Sequence, residues 1–152
     1  MARIAVQVED FDLARELAAL TVGNTRIGGV GSFIGVVRDS AGSRRLRALT
    51  LEHYPRMTER AIGGIVAQAE QRWELLGCTV IHRIGALHPG DNIVLVLAAA
   101  PHRHAALAAT TFLIDWLKTK APFWKKESFI DGTERWVDSR DTDDHAAARW
   151  LA

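Results

Sequence analysis

Lysines at positions 118, 120, 125 and 126 bracket an apolar knot, Ala121-Pro122-Phe123-Trp124, and Glu127 closes the run. Pro122 bars a helix from continuing, so the chain must fold back there and hold the lysines beside aromatic rings. An ammonium group stripped of part of its water gives up its proton more readily, and the neutral amine is a nucleophile or a base. A helix C-terminus works in the opposite sense and favours the charged form. The same run also reads as lysines that complement a helix dipole, with Phe123 and Trp124 in the core, and the residues leave both readings open. A second group is Pro101-His102-Arg103. The opening turn of a helix presents free N–H groups and a partial positive charge, which suit a phosphate or carboxylate, and arginine adds a planar fork for bidentate contact. Arg38 ends an apolar run, where a strand side chain can line a cleft. What these groups share is the chemistry of an anionic ligand.

The charge distribution agrees. Nineteen basic and eighteen acidic side chains leave a net charge of +1, which argues against a general nucleic-acid binder. Yet residues 38–60 carry six basic and three acidic groups, residues 101–127 five and two, and residues 128–152 three and six. Solvated surface charge is the plain alternative for these blocks. His53, His82 and His88 stand apart and read as core or surface histidines, and His102 and His104 are too close on one helix to share a metal, so no metal site is expected. Gly-x-Ser-x-Gly, P-loop and dinucleotide fingerprints are absent, and no cofactor is expected. The one cysteine, Cys78, opens an apolar strand and reads as a buried small hydrophobe.

The chain that must position these groups has 152 residues, 48% hydrophobic and 24% charged, as expected of a single soluble domain spanning 1–152. No apolar run approaches the ~20 residues that cross a bilayer, and acidic residues by Glu9 interrupt any leader pattern. The expected compartment is cytoplasmic, without a membrane partner. Residues 3–8 alternate as an edge strand, and residues 11–20 read as a helix capped by Asp10 or Asp12. Residues 28–37 are apolar on both faces, predicting a buried strand whose glycines mark a bulge or a close backbone approach. A loop at 39–43 and the basic residues 44–47 precede a strand at 48–54. Pro55 begins a long helix to about residue 75, with Ile62, Ile65, Ala69, Trp73 and Leu76 on its apolar stripe and Gly77 as its stop. Strands at 79–87 and 92–100 join through a Pro-Gly-Asp turn. A second long helix covers 102–120, and strands at 123–130 and 134–137 flank Asp131-Gly132. The order predicts α+β, helices packed on a mainly antiparallel sheet.

Phe33-Ile34-Gly35-Val36-Val37-Arg38, Leu49-Thr50-Leu51-Glu52-His53-Tyr54-Pro55, Val80-Ile81-His82-Arg83-Ile84-Gly85, Pro101-His102-Arg103, the lysine run from Leu117 to Glu127 and Arg135-Trp136-Val137-Asp138-Ser139-Arg140 occur in that order. Together with Ala146-Ala147-Ala148-Arg149-Trp150, this set resembles the catalytic (large) subunit of molybdopterin synthase, the MoaE family, over nearly the whole chain. The resemblance implies an α/β hammerhead-like fold with a small β subdomain. It implies a sulfurtransferase of molybdenum cofactor biosynthesis that converts cyclic pyranopterin monophosphate (precursor Z) to molybdopterin. The two dithiolene sulfurs would come from the C-terminal glycine thiocarboxylate of a small ubiquitin-like carrier subunit. It further implies a homodimer of large subunits with a carrier at each end, a heterotetramer. Family roles fall on Lys118 and Lys125 as catalytic residues and, for substrate binding, on Arg38, His102, Arg103, Lys118, Lys125, Lys126 and Arg140. Lys118 would act as a base, or as an amine that traps the carrier's acyl end, and Lys125 would stabilise developing negative charge. With Cys78 in no reactive context, the sulfur donor must lie outside this chain.

Two other classes fit parts of the pattern: an anion- or RNA-binding module that stacks bases on Phe123, Trp124 and Trp136, and a Schiff-base lysine enzyme. One geometric expectation bears on the family reading. Arg103 and Lys118 are fifteen residues apart, and on a straight helix their α-carbons lie roughly 22 Å apart at ~1.5 Å per residue. One small pterin phosphate cannot reach both. Either two copies share a site, with His102, Arg103 and Arg140 crossing to the other copy's lysines, or the helix breaks, Thr110-Thr111 being the candidate point.

Overall fold

The computed structural model describes residues 2–137 and 141–151. The alternating N-terminal residues form β1 (Ala2–Gln7). Asp12 then caps α1 (Leu13–Thr21), its carboxylate accepting the Arg15 N–H at 3.1 Å. The chain continues through β2 (Gly29–Val36), a short β3 (Ser40–Ala41), a long β4 (Arg44–His53) and α2 (Met57–Arg72). After β5 (Gly77–Arg83), β6 (Gly85–Leu87) and β7 (Asn92–Ala100) comes α3 (Arg103–Lys120), followed by β8 (Phe123–Phe129) and β9 (Glu134–Val137). A last helix, α4 (Asp141–Ala148), ends in a 3-10 turn at Arg149–Leu151.

These elements make an α+β fold of two sheets. The first has the order β1-β5-β7-β2, with β1 parallel to β5 and the other neighbours antiparallel. Its central strands are buried on both faces, which is why residues 92–100 read as an unbroken apolar run. Val80, Val94, Val96 and Ala98 meet Ile62 and Val66 of α2 and Phe112 and Leu113 of α3. Ile81, Leu95 and Leu97 face the other way, toward Phe11 and Leu20 around α1. The second sheet, β3-β4-β8-β9 with β6 also on β4, is antiparallel and forms the small β subdomain. Among the described residues no helix is long and apolar enough to cross a membrane.

Several elements differ from their sequence-based expectation. The strand expected to be buried, β2, is an edge strand with Phe33 and Val36 exposed. Its apolar character reflects α3 pressed onto it. A Cβ on Gly31 would meet the Ala106 carbonyl at 2.5 Å as well as the Thr110 hydroxyl, and one on Gly28 would strike the Pro101 carbonyl. The expected close approach is real, and a register shift at Gly35/Val36 supplies the bulge. The basic residues 44–47 belong to β4. The helix expected from Pro55 starts at Met57, because Arg56 sits at φ 70, and it ends at Arg72. Trp73 leaves the helix to pack edge-on to Phe112 and Trp150, with ring centres 5.4 and 5.7 Å away. Gly77 therefore opens a strand instead of stopping a helix. The single strand expected at 79–87 is divided at Gly85, whose φ of 88 turns the chain from the first sheet into the second. The sequence reading did not anticipate α4.

Candidate active site

A cavity of about 280 Å³ lies where the two sheets meet the C-terminal end of α3. Three local features build it. On β8 the alternation of a strand turns Phe123, Lys125 and Glu127 to the cavity. Opposite them in register stand His53, Leu51 and Leu49 of β4, of which Leu51 and Leu49 line the floor. At the end of β2 the Val37 N–H donates to the Asp91 carbonyl at 2.9 Å and the Val37 carbonyl accepts the Gly90 N–H at 2.8 Å. That pair fixes the point from which Arg38 enters the rim. The last turn of α3 brings Leu117, Lys118 and Thr119. The helix stops there because Ala121 before Pro122 is extended.

Arg38, from the end of β2, and Lys118 and Lys125, from the lysine run eighty residues further on, thus share one wall system. Glu127 is the acid among them; it is buried, and its Oε1 accepts from the Arg135 guanidinium at 2.6 and 3.1 Å. The cations therefore outnumber the one carboxylate, itself engaged elsewhere, and an anion is the ligand this arrangement attracts. Lys118 and Arg38 are exposed and Lys125 is half-buried. Trp124, expected in the core, is turned outward.

His82, an ordinary histidine by its sequence context, also lines the wall. The residue is 8% exposed, and its ring stacks on Phe123 at 3.9 Å and 20°. Nδ1 lies 2.8 Å from the Arg83 carbonyl. Burial pushes its pKa down to about 4; the backbone bond opposes that, and the positive charges of Lys118 and Lys125 reinforce it. No spacing rule connects His82 to a lysine run thirty-six residues away; only the pairing of the sheets does.

The remaining expected residues lie elsewhere. Lys126 points to the other face of β8, its Nζ 3.6 Å from Glu134 and 5.8 Å from the centre of the Trp136 ring. His102 and Arg103 are exposed at the N-terminal end of α3, beside Gly29 at the far end of β2. Because α3 runs unbroken from Arg103 to Lys120, the chain does not fold its two ends together, and Thr110-Thr111 is not a break. Arg140 lies outside the described residues. Among the described residues no cluster of His, Cys, Asp and Glu is placed to hold a metal. Cys78 is buried on β5 opposite Ala98, and burial pushes its thiol up to about 12.

Residues 6–120 match the family model described as MoaE protein. Among curated relatives, the chain is 55% identical over 148 residues to the molybdopterin synthase catalytic subunit of Mesorhizobium japonicum, spanning 97% of this chain and 92% of that one. Among solved structures, it is similar to the molybdopterin biosynthesis MoaE protein of Burkholderia ambifaria, with a TM-score of 0.85 and 50% identity over 100% of this chain and 99% of the other. The molybdopterin synthase of Staphylococcus aureus superposes with a TM-score of 0.80 at 28% identity, covering 88% and 95%.

Proposed function

This chain belongs to the MoaE family of molybdopterin synthase catalytic subunits, and from that premise we propose that it forms the dithiolene of molybdopterin on cyclic pyranopterin monophosphate (precursor Z). The sulfur arrives as the C-terminal thiocarboxylate of a small ubiquitin-like carrier subunit. One observation carries the reading: Arg38, Lys118 and Lys125 converge on a single cavity whose chemistry suits two anions, a cyclic phosphate and a thiocarboxylate. The inaccessible Cys78 adds to it, since a sulfur transferase without a reactive thiol takes its sulfur from a partner.

In this reading Arg38 takes the phosphate through its planar fork. Lys118, on the exposed last turn of α3, acts on the reacting groups, and Lys125 stabilises the negative charge that develops as sulfur leaves the carrier. The same cations steer the carrier's anionic tail into the cavity. Lys126 stays on the other face of β8 beside Glu134, while His102, Arg103 and Arg140 complete substrate binding. His102 and Arg103 do so from a second copy of the chain, because an unbroken α3 separates Arg103 from Lys118 by roughly 22 Å, which one small substrate cannot span. The working assembly is then a homodimer with a carrier on each copy, placed in the cytoplasm and needing neither a membrane nor a nucleic acid.

The test mixes the purified chain with a thiocarboxylated carrier and precursor Z and measures dithiolene product. Product is expected only with the intact carrier. A carrier lacking its terminal glycine should give none, and sulfur transfer from free sulfide by this chain alone would refute the external donor.

A further inference from the structure

His82 is a wall group to which the proposed reaction gives no part, and its setting is more specific than packing requires. A carbonyl oxygen only accepts, so the 2.8 Å contact with the Arg83 carbonyl puts the ring proton on Nδ1. The stack on Phe123 at 3.9 Å fixes the plane of the ring. Positive charge reaches it from Lys118 on α3 and Lys125 on β8, with Lys118 the stronger, and His53 on β4 faces it as well. A further positive charge is costly in that company, and the imidazole stays neutral. A neutral ring with Nδ1 protonated carries its lone pair on Nε2, and such an acceptor at a cation-lined wall is matched by an ammonium donor.

We propose that His82 is a positioning residue of this site, its Nε2 lone pair holding the Lys118 ammonium, directly or through one water, in the orientation that the reaction uses. As a statement about the reaction, this rests on the function proposed above; as a statement about the two side chains, it stands alone. An aromatic ring of any kind would serve the stack on Phe123. Only a ring with this tautomer also supplies an acceptor.

The first measurement is spectroscopic. Long-range proton–nitrogen correlation spectra of the ¹⁵N-labelled chain at neutral pH should show Nδ1 of His82 as the protonated nitrogen and Nε2 as the bare one, and Lys118→Ala should shift the Nε2 resonance. A proton on Nε2, or an Nε2 resonance indifferent to Lys118→Ala, overturns the proposal. The second measurement uses the carrier-and-precursor assay. His82→Phe, which keeps the stack, should lower kcat about tenfold, the order of one hydrogen bond to a charged group, and leave KM within about twofold. His82→Gln, whose amide oxygen can take the place of Nε2, should recover part of that loss. Equal losses of activity and of thermal stability in both variants would make His82 structural and refute the positioning role. If the wild-type chain forms no product, the proposed reaction fails, and the spectra still decide the place of His82.

Discussion

At the scale of single residues, the sharpest expectation concerns Lys118. It is exposed on the last turn of α3, so Lys118→Ala removes little packing, and circular dichroism and Tm should match the wild type. Product formation should nevertheless fall ~10²–10³-fold, the usual cost of losing a charge-stabilising or proton-transferring group; turnover at the wild-type rate would remove Lys118 from the mechanism. Lys125→Ala should act in the same direction. His82 gives a pH prediction. Its folded pKa of about 4 lies below the ordinary 6.5, so the neutral ring contributes stability that is present above pH 6.5. As the pH falls toward 4 the unfolded chain takes up the proton first, and up to about 3 kcal/mol is lost. Urea unfolding at several pH values should show this slope in the wild type and a shallower one in His82→Gln. The lysines were legible in the sequence because cations around a proline-broken helix end form a local pattern, and Arg38 because it ends an apolar strand run. His82 was not, since it acquires its role from Phe123 and the lysines far along the chain.

At the scale of elements, local signals sufficed where one element is buried on two faces or bounded by turn residues. Residues 92–100 and 134–137 form strands with the expected limits. They failed where tertiary contacts decide an end. Trp73 abandons α2 for an aromatic cluster, and Gly85 passes the chain between sheets, neither of which helical or strand periodicity encodes. The glycines of β2 were legible as a close approach, but their partner, α3, was not. That contact yields a test. Gly31→Ala places a methyl group against the Ala106 carbonyl and the Thr110 hydroxyl, and overpacking of this kind typically costs about 1–3 kcal/mol. The urea midpoint should fall at constant m-value, and activity should suffer as well, because the same helix carries Lys118. An unchanged midpoint would mean that α3 can lift from β2 without cost.

At the scale of the whole molecule, the length of α3 separates the expected binding groups into two sets, Arg38, Lys118 and Lys125 at one end and His102 and Arg103 at the other. Mixing Arg103→Ala chains with Lys118→Ala chains and allowing subunit exchange should restore partial activity, since one site in each heterodimer would be intact. No recovery after verified exchange would place both residues in one chain's pocket. Separation of this kind was legible from residue counting alone; which groups stand beside Lys118 required the sheet pairing. The burial of Cys78 has a consequence of another sort. Its thiol lies in the core that β5 shares with Ile62 and Val66 of α2 and Phe112 of α3, so an alkylating reagent reaches it only after that packing opens. With enough reagent present, the labelling rate of the native chain becomes a clock for the opening of that core. The sequence holds one cysteine, so that clock needs no engineered probe, and any variant or bound partner that tightens the core will be read as a slower one.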